Sequence, residues 1–162
     1  MIYWSNMKGE LYKMYLVDRE CVVFDIPDTT KDKVIKKMIS KLAQKGSIND
    51  AEEFYQNVLS REKICATAIG NEMGLPHGKT ANVLRPAICF GRLVNPIIWN
   101  EKTGERVKFV ILIAVPEENT SNLHMKVISS LARKLMHDEY RKILLSGSQE
   151  EVFEFLNTAV EK

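Results

Sequence analysis

"VKFVILIAVP", residues 107–116, decides how this chain is built. From Phe109 to Val115 no polar side chain interrupts the run. A strand with one wet face alternates apolar and polar residues. An unbroken apolar run instead implies a strand covered on both sides, in the middle of a sheet. The run is also far shorter than the ~20 residues that span a bilayer. Working outward, "EKTG" at Glu101–Gly104 reads as the turn before it. "PAICFGRL", "EMGLPH" and "ICATAI" upstream, and "CVVFDI" near the start, read as further strands punctuated by Gly, Asn and Pro.

Helical patterns flank these strands. In "PDTTKDKVIKKMISKLAQKGS", Thr29 or Thr30 can cap the start, and Gly46 follows the end. Val34, Ile35, Met38, Ile39, Leu42 and Ala43 form its apolar stripe. "NDAEEFYQNVLSRE" opens with an Asp50/Glu53 capping box and turns Phe54, Val58 and Leu59 inward. After the long strand, Ser121 can cap "NLHMKVISSLARKLMH", with Val127, Ile128, Leu131, Ala132 and Leu135 as its buried stripe. "DEYRKILLSG" is a shorter helix ending at Gly147, and "SQEEVFEFLNTAVEK" opens with a Ser148/Glu151 box. Helices, then strands, then helices imply one α/β domain: a mixed central β-sheet with helices on both faces, a three-layer αβα sandwich. We place that domain at residues 12–162, with 1–11 as a leader or flexible segment.

The chain has 162 residues, enough for a full core without metal or disulfide. Its 23 basic and 21 acidic residues leave a net charge of +2, which gives no reason to expect nucleic acid or an anionic membrane as partner. "MIYWSNMKGELYKMY" lacks the order of a signal peptide, so the cytoplasm is the expected compartment. Cys21, Cys65 and Cys89 are odd in number and lie far apart beside apolar segments, which reads as buried structural thiols.

"GLPHGKT", Gly74–Thr80, imitates a nucleotide-binding loop. Such a loop needs four residues between its glycines, and Gly74 and Gly78 have three. Pro76 also lacks the amide hydrogen that should face a phosphate, and no helix pattern follows. Two readings of His77 then stand: an ordinary turn residue, or a histidine that itself carries phosphate. The chain has two other histidines. His124 falls near the start of its helix, just past the "IAVPEEN" strand end. Unpaired amides and a partial positive charge there suit an oxyanion, although a solvated first-turn residue fits equally. His137 sits at that helix's far end, where a cation simply complements the dipole. Arg61, near another helix end, is uninformative taken singly.

"REKICATAIGNEMGLPHGK", Arg61–Lys79, resembles the phosphorylation signature of the fructose/mannitol-type enzyme IIA domains of the sugar phosphotransferase system (PTS EIIA type 2). That pattern runs Arg-Glu, then Thr-Gly-x-Gly, then Ala-x-Pro-His-Gly. "VKFVILIAVPEENTSNLHMKVISSLARKLM", Val107–Met136, is similar to the family's strand, Pro-Glu-Glu loop and His-Leu-Lys helix, closest to the fructose branch. The resemblance runs over roughly residues 12–160. Ala68, Gly74 and Met125 depart from the usual Gly, Ala and Leu, and none removes a reacting group.

The resemblance implies the following chemistry. His77 accepts a phosphoryl group on Nε2 from phospho-HPr, the small histidine phosphocarrier. It passes the group to a cysteine of enzyme IIB, and so indirectly serves the membrane enzyme IIC during uptake of a sugar, by this branch fructose. His124 and Arg61 stabilise the phosphoryl oxygens. No metal, nucleotide or other cofactor enters, and the domain itself does not insert in the membrane. Elementary chemistry agrees with the assignment. An unperturbed imidazole, with a pKa near about 6.5, is available neutral and is both nucleophile and leaving group. Phosphoryl transfer needs in-line placement and balanced oxygen charge, which a guanidinium fork supplies. Met73 and Leu75 are candidates for an apolar docking surface around His77, with core packing at least as good a reading for both. Nitrogen-type regulatory modules share the signature and form the alternative. A metal hydrolase lacks any His-x-His or His-Glu-x-x-His pattern.

Overall fold

The computed structural model describes residues 2–5, 8, 11–14, 16–117 and 123–159, with side chains at 8, 16–117, 126 and 129–159. Near the start, β1 (Ile2–Ser5) pairs antiparallel with β2 (Leu11–Met14). The main sheet has five strands. β3 (Val22–Ile26) lies parallel to β6 (Ala87–Asn100), and β6 forms a long antiparallel hairpin with β7 (Glu105–Pro116). Along the far side of β7, β4 (Met73–Gly74) and β5 (His77–Thr80) both pair parallel to it. The sheet is therefore mixed, and β7 is central. Every residue from Phe109 to Pro116 is buried, as its unbroken apolar run predicts.

Helices cover both faces. α1 (Lys31–Gln44) and α2 (Ala51–Ile64) pack together on one side; α3 (Leu123–Leu135), α4 (Asp138–Ser146) and α5 (Gln149–Ala159) form the layer on the other. Two neighbours on β6 display the alternation. A Cβ on Gly91 would meet Ile26 Cδ1 at 2.8 Å and Met38 Sδ of α1 at 3.0 Å. Arg92 turns to the opposite face, donating from Nε to Leu144 O at 2.9 Å and from Nη2 to Gly147 O at 3.0 Å.

The helix starts follow their capping residues. Thr30 Oγ1 accepts from Lys33 N at 3.4 Å, and Asp50 Oδ1 accepts from Glu53 N at 3.0 Å. Gly46, at φ +76°, takes the left-handed turn after α1. The Asp50 box is only half made, because Glu53 accepts from Asn82 Nδ2 at 2.8 Å instead of reaching back. The Ser148/Glu151 box is complete, with both reciprocal bonds at 3.1 Å. Buried Asn157 of α5 imitates a strand neighbour: Oδ1 accepts from Val17 N and Nδ2 donates to Val17 O, each at 3.1 Å.

Some expectations are overturned. "ICATAI" is not a strand. Ile64 ends α2 and is 79% exposed, and Ala68 makes only an isolated bridge to Gly74. An apolar run without a period there straddles a helix end and a hairpin base. β6 continues past "PAICFGRL" through Pro96, where the register shifts and the side chains of 94–96 are exposed. Ala132 is exposed, while Leu131 and Leu135 are buried; Ser121 and the side chains of Val127 and Ile128 lie outside the described residues. Cys65 is exposed. Cys21 and Cys89 are buried beside one another, and burial pushes the Cys89 thiol well up.

Candidate functional site

"GLPHGKT" folds as strand, not as a phosphate cradle. Its residues line up along β7, with His77 opposite Ile113 and Thr80 opposite Pro116. Pro76 O accepts from Ile113 N at 3.0 Å, and Thr80 O accepts from Glu117 N at 3.1 Å. Leu75 N and Lys79 N are already spent, on Thr67 O at 2.8 Å and Asn57 Oδ1 at 3.1 Å. No run of free amides remains to wrap an anion.

His77 is half-buried. Its Nδ1 lies 3.0 Å from Leu75 O. A carbonyl can only accept, so Nδ1 carries the hydrogen and Nε2 keeps its lone pair. That is the form of imidazole that can attack phosphorus.

α2 is seated on β5 at the next residue. A Cβ on Gly78 would meet Phe54 at 2.7 Å, Asn57 Oδ1 at 2.8 Å and Val58 at 3.1 Å. Only glycine allows the helix this close. Arg61 lies one turn beyond Asn57, on the same face of α2. It is half-buried, and its Nη1 donates to Cys65 O at 3.0 Å, one donor of five. Arg61 and His77 thus belong to elements packed directly on each other. His124 is the second residue of α3, the helix that follows β7, whose last four residues pair with His77–Thr80. The His124 side chain lies outside the described residues.

His137 is not on α3. It holds the N-cap position of α4 without a capping bond, its ring edge-on to Tyr140 at 5.8 Å. The thirteen residues of α3 put it about 20 Å from the helix start that carries His124. Met73 and Leu75, 4% and 6% exposed, belong to the core and not to a docking surface. The exposed apolar residues of this region are Ile64 and Ile69.

Sequence reading missed the support beneath the site. Glu62, beside Arg61, is buried and forms an ion pair with Lys31 of α1 at 2.7 Å. It also accepts from Thr67 N at 3.0 Å and from Thr67 Oγ1. Thr67 to Leu75 then forms a narrow hairpin whose tip, Gly70, Asn71 and Glu72, is left-handed at φ +85°, +53° and +63°. The unfavourable glutamate there has a return: Glu72 O accepts from Lys108 N at 2.7 Å and Phe109 N at 3.3 Å, locking the tip to β7. The only sequence signal for Glu62 and Thr67 is their place in the Arg-Glu and Thr steps of the motif.

Among the described residues, no helix is long and apolar enough to cross a membrane, and no three of His, Cys, Asp and Glu group as metal ligands do.

Comparison with known proteins agrees with this architecture. The family model described as "Phosphoenolpyruvate-dependent sugar phosphotransferase system, EIIA 2" matches residues 15–159. The fructose-like EIIA component of Escherichia coli is 32% identical over 144 residues, covering 89% of this chain and 97% of that one. The fructose-specific EIIABC component of Bacillus subtilis is 33% identical over 136 residues, but the match spans 84% of this chain and only 21% of that longer protein. Among solved structures, the nitrogen regulatory protein IIA-Ntr of Neisseria meningitidis superposes with a TM-score of 0.78 at 26% identity, covering 87% of this chain and 96% of that one. Enzyme IIA for mannitol of E. coli, in complex with phosphorylated enzyme IIB, gives 0.71 at 26% identity, covering 84% and 94%.

Proposed function

This chain belongs to the EIIA type 2 family of the phosphoenolpyruvate-dependent sugar phosphotransferase system, a phosphotransferase component, and from that membership we propose that His77 is its phosphoryl carrier. The observation that carries the reading is the Nδ1–H bond to Leu75 O, which leaves Nε2 as the nucleophile. Nε2 attacks phosphorus of phospho-HPr; the new N–P bond forms as the donor's N–P bond breaks. Onward transfer reverses the role of the ring, with a cysteine thiolate of enzyme IIB attacking and Nε2 leaving. Because the hydrogen stays on Nδ1 throughout, neither step waits for a proton at His77. Arg61 brings a fixed positive charge from α2, and His124 brings a donor from the start of α3, both for the equatorial oxygens. The cargo sugar is fructose or a close analogue, a reading supported by the fructose-type names of relatives at about 30% identity. The working compartment is the cytoplasm, where HPr and the inner face of enzyme IIC meet.

Incubation with phosphoenolpyruvate, enzyme I and HPr, followed by intact mass, tests this directly. One added phosphoryl is expected, labile in acid and stable in alkali, and absent in His77→Ala. His124→Ala is expected to label slowly and to be hit hardest in onward transfer. Labelling that survives His77→Ala would remove the assignment. A regulatory reading is favoured by one observation, the superposition on a nitrogen regulatory protein. Transfer to the cysteine of an enzyme IIB separates the two: a carrier for uptake passes the group on, and a regulatory module retains it.

A further inference from the structure

Glu62 neighbours Arg61 in sequence, yet its carboxylate is shut inside, with 3% of the side chain exposed. Its Oε2 receives Lys31 Nζ at 2.7 Å and Thr67 N at 3.0 Å, and its Oε1 receives Thr67 Oγ1. Lys31 is fixed in turn, donating to Trp99 O at 3.1 Å with its ammonium 5.2 Å from the centre of the Trp99 ring. A buried carboxylate is tolerated only where its charge and lone pairs are answered, and here they are. The bonding does not stop at Thr67. Its carbonyl accepts from Leu75 N at 2.8 Å, and the Leu75 carbonyl accepts from His77 Nδ1 at 3.0 Å. An unbroken chain of contacts thus runs from α1 to the ring that reacts.

We propose that Glu62, acting with Lys31 through Thr67, is a positioning residue that holds the Leu75 carbonyl and so keeps His77 in its Nδ1–H tautomer. The inference rests on His77 being the phosphoryl acceptor. Its physical basis is that a neutral imidazole has two tautomers, selected by the bond made at the other nitrogen. Leu75 falls between β4 and β5, outside the residue pairs that either strand makes with β7, so the register of those strands does not by itself set its carbonyl. The tip of the hairpin of residues 67–75 is strapped by Glu105 Oε2, accepting from Gly70 N at 2.9 Å; the base is strapped by Glu62. Loosening the base lets the Leu75 peptide tilt and the ring take the Nε2–H form, which has no lone pair where phosphorus must arrive.

The test uses the full chain, with Glu62→Gln, Thr67→Val and Thr67→Ser. Two-bond proton–nitrogen correlations of the His77 ring report the tautomer, and labelling by phospho-HPr reports kcat and KM. Wild type and Thr67→Ser are expected to show an Nδ1–H ring. Thr67→Val and Glu62→Gln are expected to show averaged ring shifts and a kcat about tenfold lower, with KM for phospho-HPr unchanged. Where Glu62→Gln does not fold, the Thr67 variants decide, because Thr67→Val removes the buried hydroxyl and Thr67→Ser keeps it. A Thr67→Val protein with the wild-type ring spectrum and rate overturns the inference. Failure of wild-type chain to take phosphoryl from HPr overturns the functional reading instead, and the ring spectra still decide this one.

Discussion

Position 74 has room for a hydrogen and little more. A Cβ there would lie 3.2 Å from Trp99 Cε2 and 3.4 Å from two further indole carbons. Trp99 is 1% exposed and is held from above by the Lys31 ammonium, so it has little freedom to retreat. The motif's usual alanine is therefore replaced by glycine for a reason of volume: the indole occupies the space a methyl would take. Gly74→Ala is expected to destabilise the fold by about 1–2 kcal/mol, the ordinary cost of overpacking a filled core. In a Trp99→Phe background the same substitution should cost nothing, and a double-mutant cycle in urea measures the difference. Additive costs would mean that the two positions do not compete for space. At this scale a motif marks His77, Arg61 and His124 as candidates. It cannot announce Glu62 as buried, since that depends on Lys31 arriving from another helix.

Three helices were legible from a cap that precedes their stripe. Thr30, Asp50 and Ser148 each start the helix they were read to start. The elements that went unread are those shaped by partners distant in sequence. The tip of the hairpin of residues 67–75 is held by Glu105 and β7, neither of which leaves a trace in a local pattern. α5 shows what a strong local signal contributes. The Ser148 backbone amide, and after it the Ser148 hydroxyl interaction, hold the Glu151 carboxyl below the usual glutamate value. The folded state therefore favours the ionised form. The stability so gained is fully present above the ordinary carboxylate pKa of about 4.3, and is lost as pH falls through the lower folded value. Glu151→Gln keeps the shape of the box without the charge. Its Tm should lie below wild type at pH 7, and the gap should close as the pH is taken below about 4 at constant ionic strength. Glu150 and Glu20 are also held low, by Arg19 and Lys45, so wild type alone would mix several titrations; the difference between the proteins isolates Glu151. A gap that stays constant with pH would mean the charge plays no part.

Across the whole molecule, the sheet must hold two helical layers. α2 is fixed by contact, Gly78 against Phe54 and Val58, and by Asn57 Oδ1 accepting from Lys79 N. The opposite layer is tied by an arginine. Arg92, on β6, lays its guanidinium 3.9 Å from the centre of the Phe24 ring and reaches the end of α4. There it donates to the carbonyls of Leu144, Ile143 and Gly147 at 2.9, 3.3 and 3.0 Å. Leu144 O and Gly147 O lie at the end of α4, where a cation also complements the dipole, and Ile143 O is shared with Gly147 N at 2.7 Å. Arg92→Met keeps the stem and the apolar contact with Phe24 but leaves Leu144 O and Gly147 O without this donor in a half-buried site. The expected loss is about 2–4 kcal/mol by urea unfolding, on the scale of charged hydrogen bonds left unmade. Arg92→Lys, a single point charge on a flexible stem, should recover only part of it. Amide exchange in α4 should quicken before that in α1, because the tie belongs to one layer. A loss under about 1 kcal/mol, or exchange that quickens equally in both layers, would mean that Arg92 plays no part in holding α4 to the sheet. α3 packs against both α4 and β7, so an anchored α4 also steadies the helix that carries His124.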